Sequence, residues 1–236
     1  MKPFLICSLT LLLGTRSILA EEPPTNIRVE LQVVQIPREV ALPMIPSLMN
    51  EAQIDAAYQK IQEMLASGDA RLIAWPLITT QSGQRAQNEA IDEIRYATEY
   101  SPPTVSFTPN ASVEKPITAD VNVDVSQLKA IPKSFETRNV GVTLEVEPVL
   151  LPDGKIAVNL VPQHVLLLGS NKISVETKGA GGGTVTVEQP IFETHKVQTS
   201  LNLRNGERKL LGVFPTTDPP KHLEIFLLKV EAKKVK

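Results

Sequence analysis

Few side chains in this sequence are placed to do chemistry. Three histidines, His164, His195 and His222, could hold a metal or move a proton, but they stand far apart in the chain and lack the paired carboxylate or cysteine spacing of a ligand set. No metal site and no cofactor is therefore expected. Ser82-Gly83 is not the Gly-x-Ser-x-Gly elbow that exposes a nucleophile, and no histidine is placed to complete a triad. Glu145 and Glu147 alternate on the polar side of a strand pattern, where a solvated surface explains them better than acid–base catalysis. Gly179, Gly181, Gly182 and Gly183, interrupted only by Ala180, match a phosphate-cradling loop in glycine content alone; neither a Gly-Lys-Ser/Thr ending nor a helix follows, and a flexible hairpin tip is the better reading. The sequence does not read as that of an enzyme.

The first twenty residues have the form of a secretory leader: Lys2, an apolar stretch from Phe4 to Leu13, and the small Ala20 before Glu21-Glu22-Pro23-Pro24. Cys7 lies inside this leader, within its apolar core, so the exported chain is expected to hold neither a disulfide nor a thiolate site. Removing Lys2 and Arg16 from the 24 basic residues leaves 22 against 26 acidic ones, a net charge of about −4. That balance argues against nucleic acid as a partner. No other apolar stretch reaches the length of a membrane helix, so insertion into a bilayer would have to use strands pooled into a closed barrel.

The elements follow from periodicity. Ile27, Val29, Leu31 and Val33 alternate with polar residues, which predicts an opening strand. A proline-marked connection with Pro37, Pro43 and Pro46 leads to Asn50, with Gln53 at capping-box distance, and Ile54, Ala57, Tyr58, Ile61, Met64 and Leu65 then share one face of an amphipathic helix over residues 51–66. Gly68 is its expected C-cap. Residues 71–80 are apolar and β-prone, with Pro76 marking an edge or bulge and Ser82-Gly83 a turn. Residues 84–97 fit a helix or a strand.

Residues 101–135, with five prolines, read as a loose hairpin or a long loop. A hairpin is predicted where Val140, Val142, Leu144 and Val146 alternate, Pro152-Asp153-Gly154 turns, and Ile156, Val158 and Leu160 resume. A stretch of low order follows. Residues 197–203 and 208–214 are predicted to pair antiparallel around Asn205-Gly206, and the last strand, Leu223 to Val230, is apolar on both sides, so it is buried on both faces or meets lipid on one.

Three segments, in this order and spacing, resemble the secretins, the ring-shaped outer-membrane pores of type II and type III secretion and of type IV pilus systems. Trp75-Pro76, the turn at Gly83, Ala86, Tyr96 and Tyr100 are similar to the family's opening strand pair. Gly141, the alternating strand to Pro148, and the Asp153-Gly154 turn are similar to its central hairpin. Pro190, Thr199, Asn205-Gly206 and Gly212 are similar to its closing hairpin. The family commonly has a pair of glycines there, where this chain has Val213 and Phe214 after Gly212. The resemblance covers about residues 71–231 and implies a strand over 84–96.

What the resemblance implies is a mainly β, α+β chain of antiparallel hairpins with one N-terminal amphipathic helix. It divides into a leader (1–20), a short strand–helix region (21–70) and a secretin-like β domain (71–236). It further implies a homo-oligomeric ring, exported to the outer membrane or periplasm, that works with other components of a secretion or pilus machinery. Two insertions, at 101–135 and 163–189, would form the lipid-crossing wall and the gate, the latter bending at Gly179, Gly181, Gly182 and Gly183. Leu166-Leu167-Leu168 and Ile225 to Leu228 are the candidates for outer-membrane lipid, with sheet core as their other reading. The alternative function is a soluble periplasmic β-domain that binds or assembles but has lost the pore.

Overall fold

Strand β1 (Thr25–Pro37) is apolar at alternate positions from Ile27 to Val33 and again at Val34 and Ile36, and all six side chains are fully buried. A strand covered on both faces has to lie inside a layered structure. The computed structural model, which describes residues 25–101, 131–177 and 183–234, shows three layers: a pair of helices, a central sheet and an outer sheet.

The central sheet is built on β1. On one side β1 pairs antiparallel with β10 (His222–Lys234), from Thr25↔Lys234 to Pro37↔His222, and β9 (Arg208–Pro215) pairs with the far side of β10. On its other side β1 meets β2 (Arg71–Ala74) and β3 (Leu77–Gln81), which are separated by Trp75-Pro76. Pro76 breaks the strand as its missing N–H requires, yet its carbonyl still accepts from Leu31 N at 3.1 Å and keeps the edge attached. The strand of region 21–70 is thus the middle of a sheet whose other members come from 71–236.

One face of this sheet carries the helices. The stretch around Pro43 and Pro46, expected as a connection, is instead helix α1 (Arg38–Met49) with both prolines inside it. Each proline costs the helix a hydrogen bond. Burial of Ala41 and Leu48, with Met44 and Ile45 alongside, holds it in place. Helix α2 (Ile54–Ser67) buries the predicted stripe of Ile54, Ala57, Tyr58 and Ile61, and Gly68 ends it in the left-handed region at φ +85°. The capping box does not form. Asn50 Oδ1 accepts from Ala52 N at 2.9 Å in a turn joining the helices, so Gln53 rather than Asn50 precedes α2.

The other face packs on the second sheet, ordered β4 (Ala86–Ser101), β5 (Ile131–Leu150), β6 (Ile156–Thr177), β7 (Gly183–Lys196), with β8 (Thr199–Leu203) also on β6. Residues 84–97 are therefore strand from Ala86 onward. Val142, Leu144, Val146, Ile156, Val158, Leu160 and Leu203 meet Ile27, Val29, Leu31, Phe226, Leu228 and Val230 in the sandwich core. Ile225 to Leu228, a candidate for lipid, is sheet core: all four are at most 1% exposed, Phe226 and Leu228 in the sandwich and Ile225 and Leu227 beneath the helices.

Two expectations are corrected here. The stretch after residue 161, read as low in order, is the rest of β6 and its partner β7, paired from Gln163↔Lys196 to Thr177↔Gly183. Gly169 to Lys172 has no apolar alternation because both faces are exposed, so the usual sign of a strand is missing. The hairpin expected over 197–214 is split, with β8 in the outer sheet and β9 in the central one. Asn205-Gly206 is a corner between sheets, pinned to β10 by Gly206 N donating to Val230 O at 2.8 Å and by Ala232 N donating to Asn205 Oδ1 at 2.8 Å. A turn dipeptide fixes the reversal, while burial selects the partner.

Phe226, fully buried where the two sheets meet, anchors the sandwich. Phe226→Ala is expected to lower stability by about 3–5 kcal/mol in guanidinium denaturation, and a loss below about 1 kcal/mol would show that the sheets are not joined through this core.

Candidate functional site: the arms of the outer sheet

In the outer sheet β5 and β6 pair only from Gly141↔Val165 to Leu150↔Ile156. Beyond that point the sheet divides. Residues 131–140 of β5 continue with β4 alone, and residues 166–177 of β6 continue with β7 alone, giving two two-stranded arms. At about 3.3 Å per residue these reach roughly 33 and 40 Å past the last shared pair.

The division follows from local sequence. Gly141, at φ +124°, stands where the arms diverge, and a β-carbon there would run into the Ala90 carbonyl oxygen. Only glycine combines that angle with that approach. Gly169, at φ +134°, lies at a register shift in the β6–β7 pairing just past the divide. The arms touch near Phe192, whose ring lies 5.8 Å from that of Tyr96 and 5.9 Å from the Arg138 guanidinium. Arg138 Nη2 donates to Thr194 Oγ1 at 3.1 Å and the Tyr100 hydroxyl to Glu188 O at 3.2 Å.

Most of the arm surface stays open. Ile131, Phe135, Leu167, Ile173 and Ile191 are all more than 40% exposed, and among the described residues the outer edges of β4 and β7 pair with no other strand. Leu167, a candidate for lipid, thus lies on an arm.

The remaining motif residues shape the body that carries the arms. Gly83, at φ +80°, turns β3 into β4 and donates its N–H to Pro148 O at 2.8 Å, while Ser82 Oγ accepts from Leu150 N at 2.9 Å. Ala86 starts β4 opposite Val146 and packs on the sandwich core. Gly154 turns β5 into β6 at φ +80°. Pro190 pairs with Ser170 in the second arm, and Gly206 makes the corner between sheets. Gly212 lies in β9, where a β-carbon would come within 2.9 Å of the Phe214 ring. Of the four glycines expected to bend, Gly183 begins β7 opposite Thr177, while Gly179, Gly181 and Gly182 lie outside the described residues, as do the leader and residues 102–130.

One constellation escaped the reading of the sequence. His164 and His195 are cross-strand partners in β6 and β7, at the root of the second arm, and both face Glu224 of β10. His164 Nδ1 lies 3.0 and 2.9 Å from the two Glu224 oxygens, and His195 Nδ1 lies 2.9 Å from Oε1. Glu224 is 0% exposed, and the two histidine residues 7% and 4%. Burial lowers the pKa of His195, yet the hydrogen bond and charge of Glu224, reinforced by Glu193, hold it above its ordinary value. Burial likewise pushes the Glu224 carboxyl up, and hydrogen bonds from His164 and His195 outweigh it, leaving it lowered. The histidines are far apart only along the chain; no local spacing signals a hairpin pair that meets a strand of another sheet. His222 does not join them, and its Nδ1 lies 3.0 Å from Pro220 O.

Comparison with known proteins adds a family. The secretin family, described as bacterial type II and III secretion system protein, matches residues 64–214. Solved structures similar to the chain include the type II secretin GspD of enteropathogenic Escherichia coli, at 10% identity and TM-score 0.46, covering 90% of this chain and 70% of that one. Others are the Salmonella SPI-1 type III injectisome secretin InvG, at 10% identity and TM-score 0.39, covering 91% and 66%, and the V. cholerae type IV competence pilus secretin PilQ, at 10% identity and TM-score 0.37, covering 92% and 62%. The chain thus spans between 62% and 70% of these proteins. No curated protein matches it.

Gly141→Ala is expected to destabilise the chain by more than about 3 kcal/mol, since it combines a backbone angle closed to alanine with a collision against the backbone. Gly154→Ala, with open space around it, should cost only about 1–2 kcal/mol. Equal losses in urea denaturation would show that the divide of the sheet does not depend on close approach at Gly141.

Proposed function

We propose that this chain, which belongs to the secretin family of bacterial type II and III secretion system proteins, is one subunit of a homo-oligomeric ring forming an outer-membrane channel for secreted protein or a pilus. The observation that carries this reading is the pair of long arms with open edges. A two-stranded ribbon is at best marginally stable in water, because it buries too little to offset the ordering of its chain. Here the ribbons also expose Phe135, Ile173 and Ile191 and leave backbone donors and acceptors along β4 and β7 without strand partners among the described residues. Copies of the same chain, set side by side around a ring, supply those partners and leave no edge.

The dimensions support a wall that crosses a bilayer. A tilted membrane strand needs about 9–11 residues, and the first arm provides residues 131–140 of β5 opposite 92–101 of β4. Two arms per subunit also suit a division of labour, one arm as wall and the other as gate. In that division the gate is the β6–β7 arm. Export through a leader, contact with outer-membrane lipid and contact with other components of the secretion or pilus machinery belong to the same proposal. The chain acts as a conduit and carries no catalytic role in it.

The full chain, expressed with its leader and extracted in detergent, is expected to run as a multimer on an unheated denaturing gel and to give ring-shaped particles by electron microscopy. Replacing Ile131 and Phe135 together by lysine should reduce the multimer at least tenfold while leaving the circular dichroism of the body unchanged. Release of the unaltered chain as a monomer by osmotic shock would refute the channel and leave the soluble periplasmic module as the reading.

A further inference from the structure

We infer that His164, His195 and Glu224 form a binding site for a divalent transition-metal ion, zinc by the chemistry of its donors, that clips the root of the second arm to the central sheet. Three strands of two sheets bring one donor each: Nδ1 of His164 from β6, Nδ1 of His195 from β7 and the carboxylate of Glu224 from β10. One ligand atom from each of the three residues lies within 4.8 Å of the other two. The nitrogen–oxygen separations of 2.9, 2.9 and 3.0 Å are hydrogen-bond contacts, a few tenths of an ångström short of the roughly 3.3–3.6 Å between tetrahedral ligands that each approach an ion to about 2.0–2.2 Å, so the donors need to part only slightly to admit it. His164 Nδ1 stands nearly equidistant from both oxygens of the carboxylate, where a single N–H could point well at only one.

The surroundings are those of a ligand set. A histidine that binds a metal through one ring nitrogen commonly gives the other to a carboxylate, which fixes the ring and its tautomer. His195 Nε2 faces Glu193 Oε1 at 3.6 Å, and Glu193 is itself held by Thr217 N at 3.2 Å and Thr217 Oγ1 at 2.9 Å. The Phe214 ring stacks on the His195 imidazole, 4.9 Å between centroids and 6° from parallel. A carboxylate with no exposure needs compensation; His164 and His195 provide it by hydrogen bonds without an ion, and a bound divalent ion would take over that role. When the ion binds, each Nδ1 offers its lone pair and gives up any proton it carried. In His195 the remaining ring proton then sits on Nε2, facing Glu193. Two imidazoles and one carboxylate favour zinc over calcium or magnesium, which prefer oxygen donors, and a fourth position is left for water.

The test uses the full chain in detergent, stripped with chelator and then titrated with zinc sulfate alone. One zinc per chain by elemental analysis, a raised melting temperature, and a tetrahedral visible spectrum when cobalt(II) replaces zinc are expected. His195→Gln and Glu224→Gln should each weaken binding at least tenfold, and His222→Gln should leave it unchanged. A stripped wild-type chain that takes up no zinc, or takes it up equally well as the His195→Gln variant, overturns the site. That outcome leaves the ring assembly untouched, since multimers are scored separately.

Discussion

Everything in the molecule hangs on the pairing of β1 with β10. The strands lie antiparallel along the whole 13-residue length of each, and between them they contribute residues to both cores. Residues of one parity, from Ile27 to Val33 and from Phe226 to Val230, face the outer sheet; Val34, Ile36, Leu223, Ile225 and Leu227 face the helices. Without this pair neither layer has a surface to pack against. The constraint is nonlocal, because the two strands open and close the described chain.

The readability of each element in the sequence depended on how its burial was arranged. Strands with one buried face, such as β5 from Val140 and β6 from Ile156, announced themselves by alternation, and α2 by its stripe with Gly68 after it. The arms did not. Their exposed stretches follow no pattern of burial, so β4, which leads into the first arm, could equally have suited a helix at Ala86, Ala90 and Ile94, and Gly169 to Lys172 looked unstructured. Helix α1 was hidden by Pro43 and Pro46, whose local penalty is overridden by tertiary burial of Ala41 and Leu48.

The motif glycines were legible as positions but not as reasons. Gly141 could be noticed in the sequence, yet only the nearness of the Ala90 carbonyl shows why no side chain fits. The cluster of His164, His195 and Glu224 was out of reach for another cause: its members belong to strands that meet only when the sandwich closes. The departure from the family at Val213-Phe214 finds its place here as well. Phe214 packs between His195 and Phe226, with centroids 4.9 and 5.2 Å away, and so joins the histidine pair to the sandwich core.

The divide at Gly141 makes the protein mechanically uneven. Traction on the tip of either arm peels a ribbon open one rung at a time, a soft response that needs little force at any moment. Traction along β1 and β10 loads every rung of their ladder together, in shear, and meets far greater resistance. Whatever pushes against the arms can therefore deflect them while the body beneath keeps its shape.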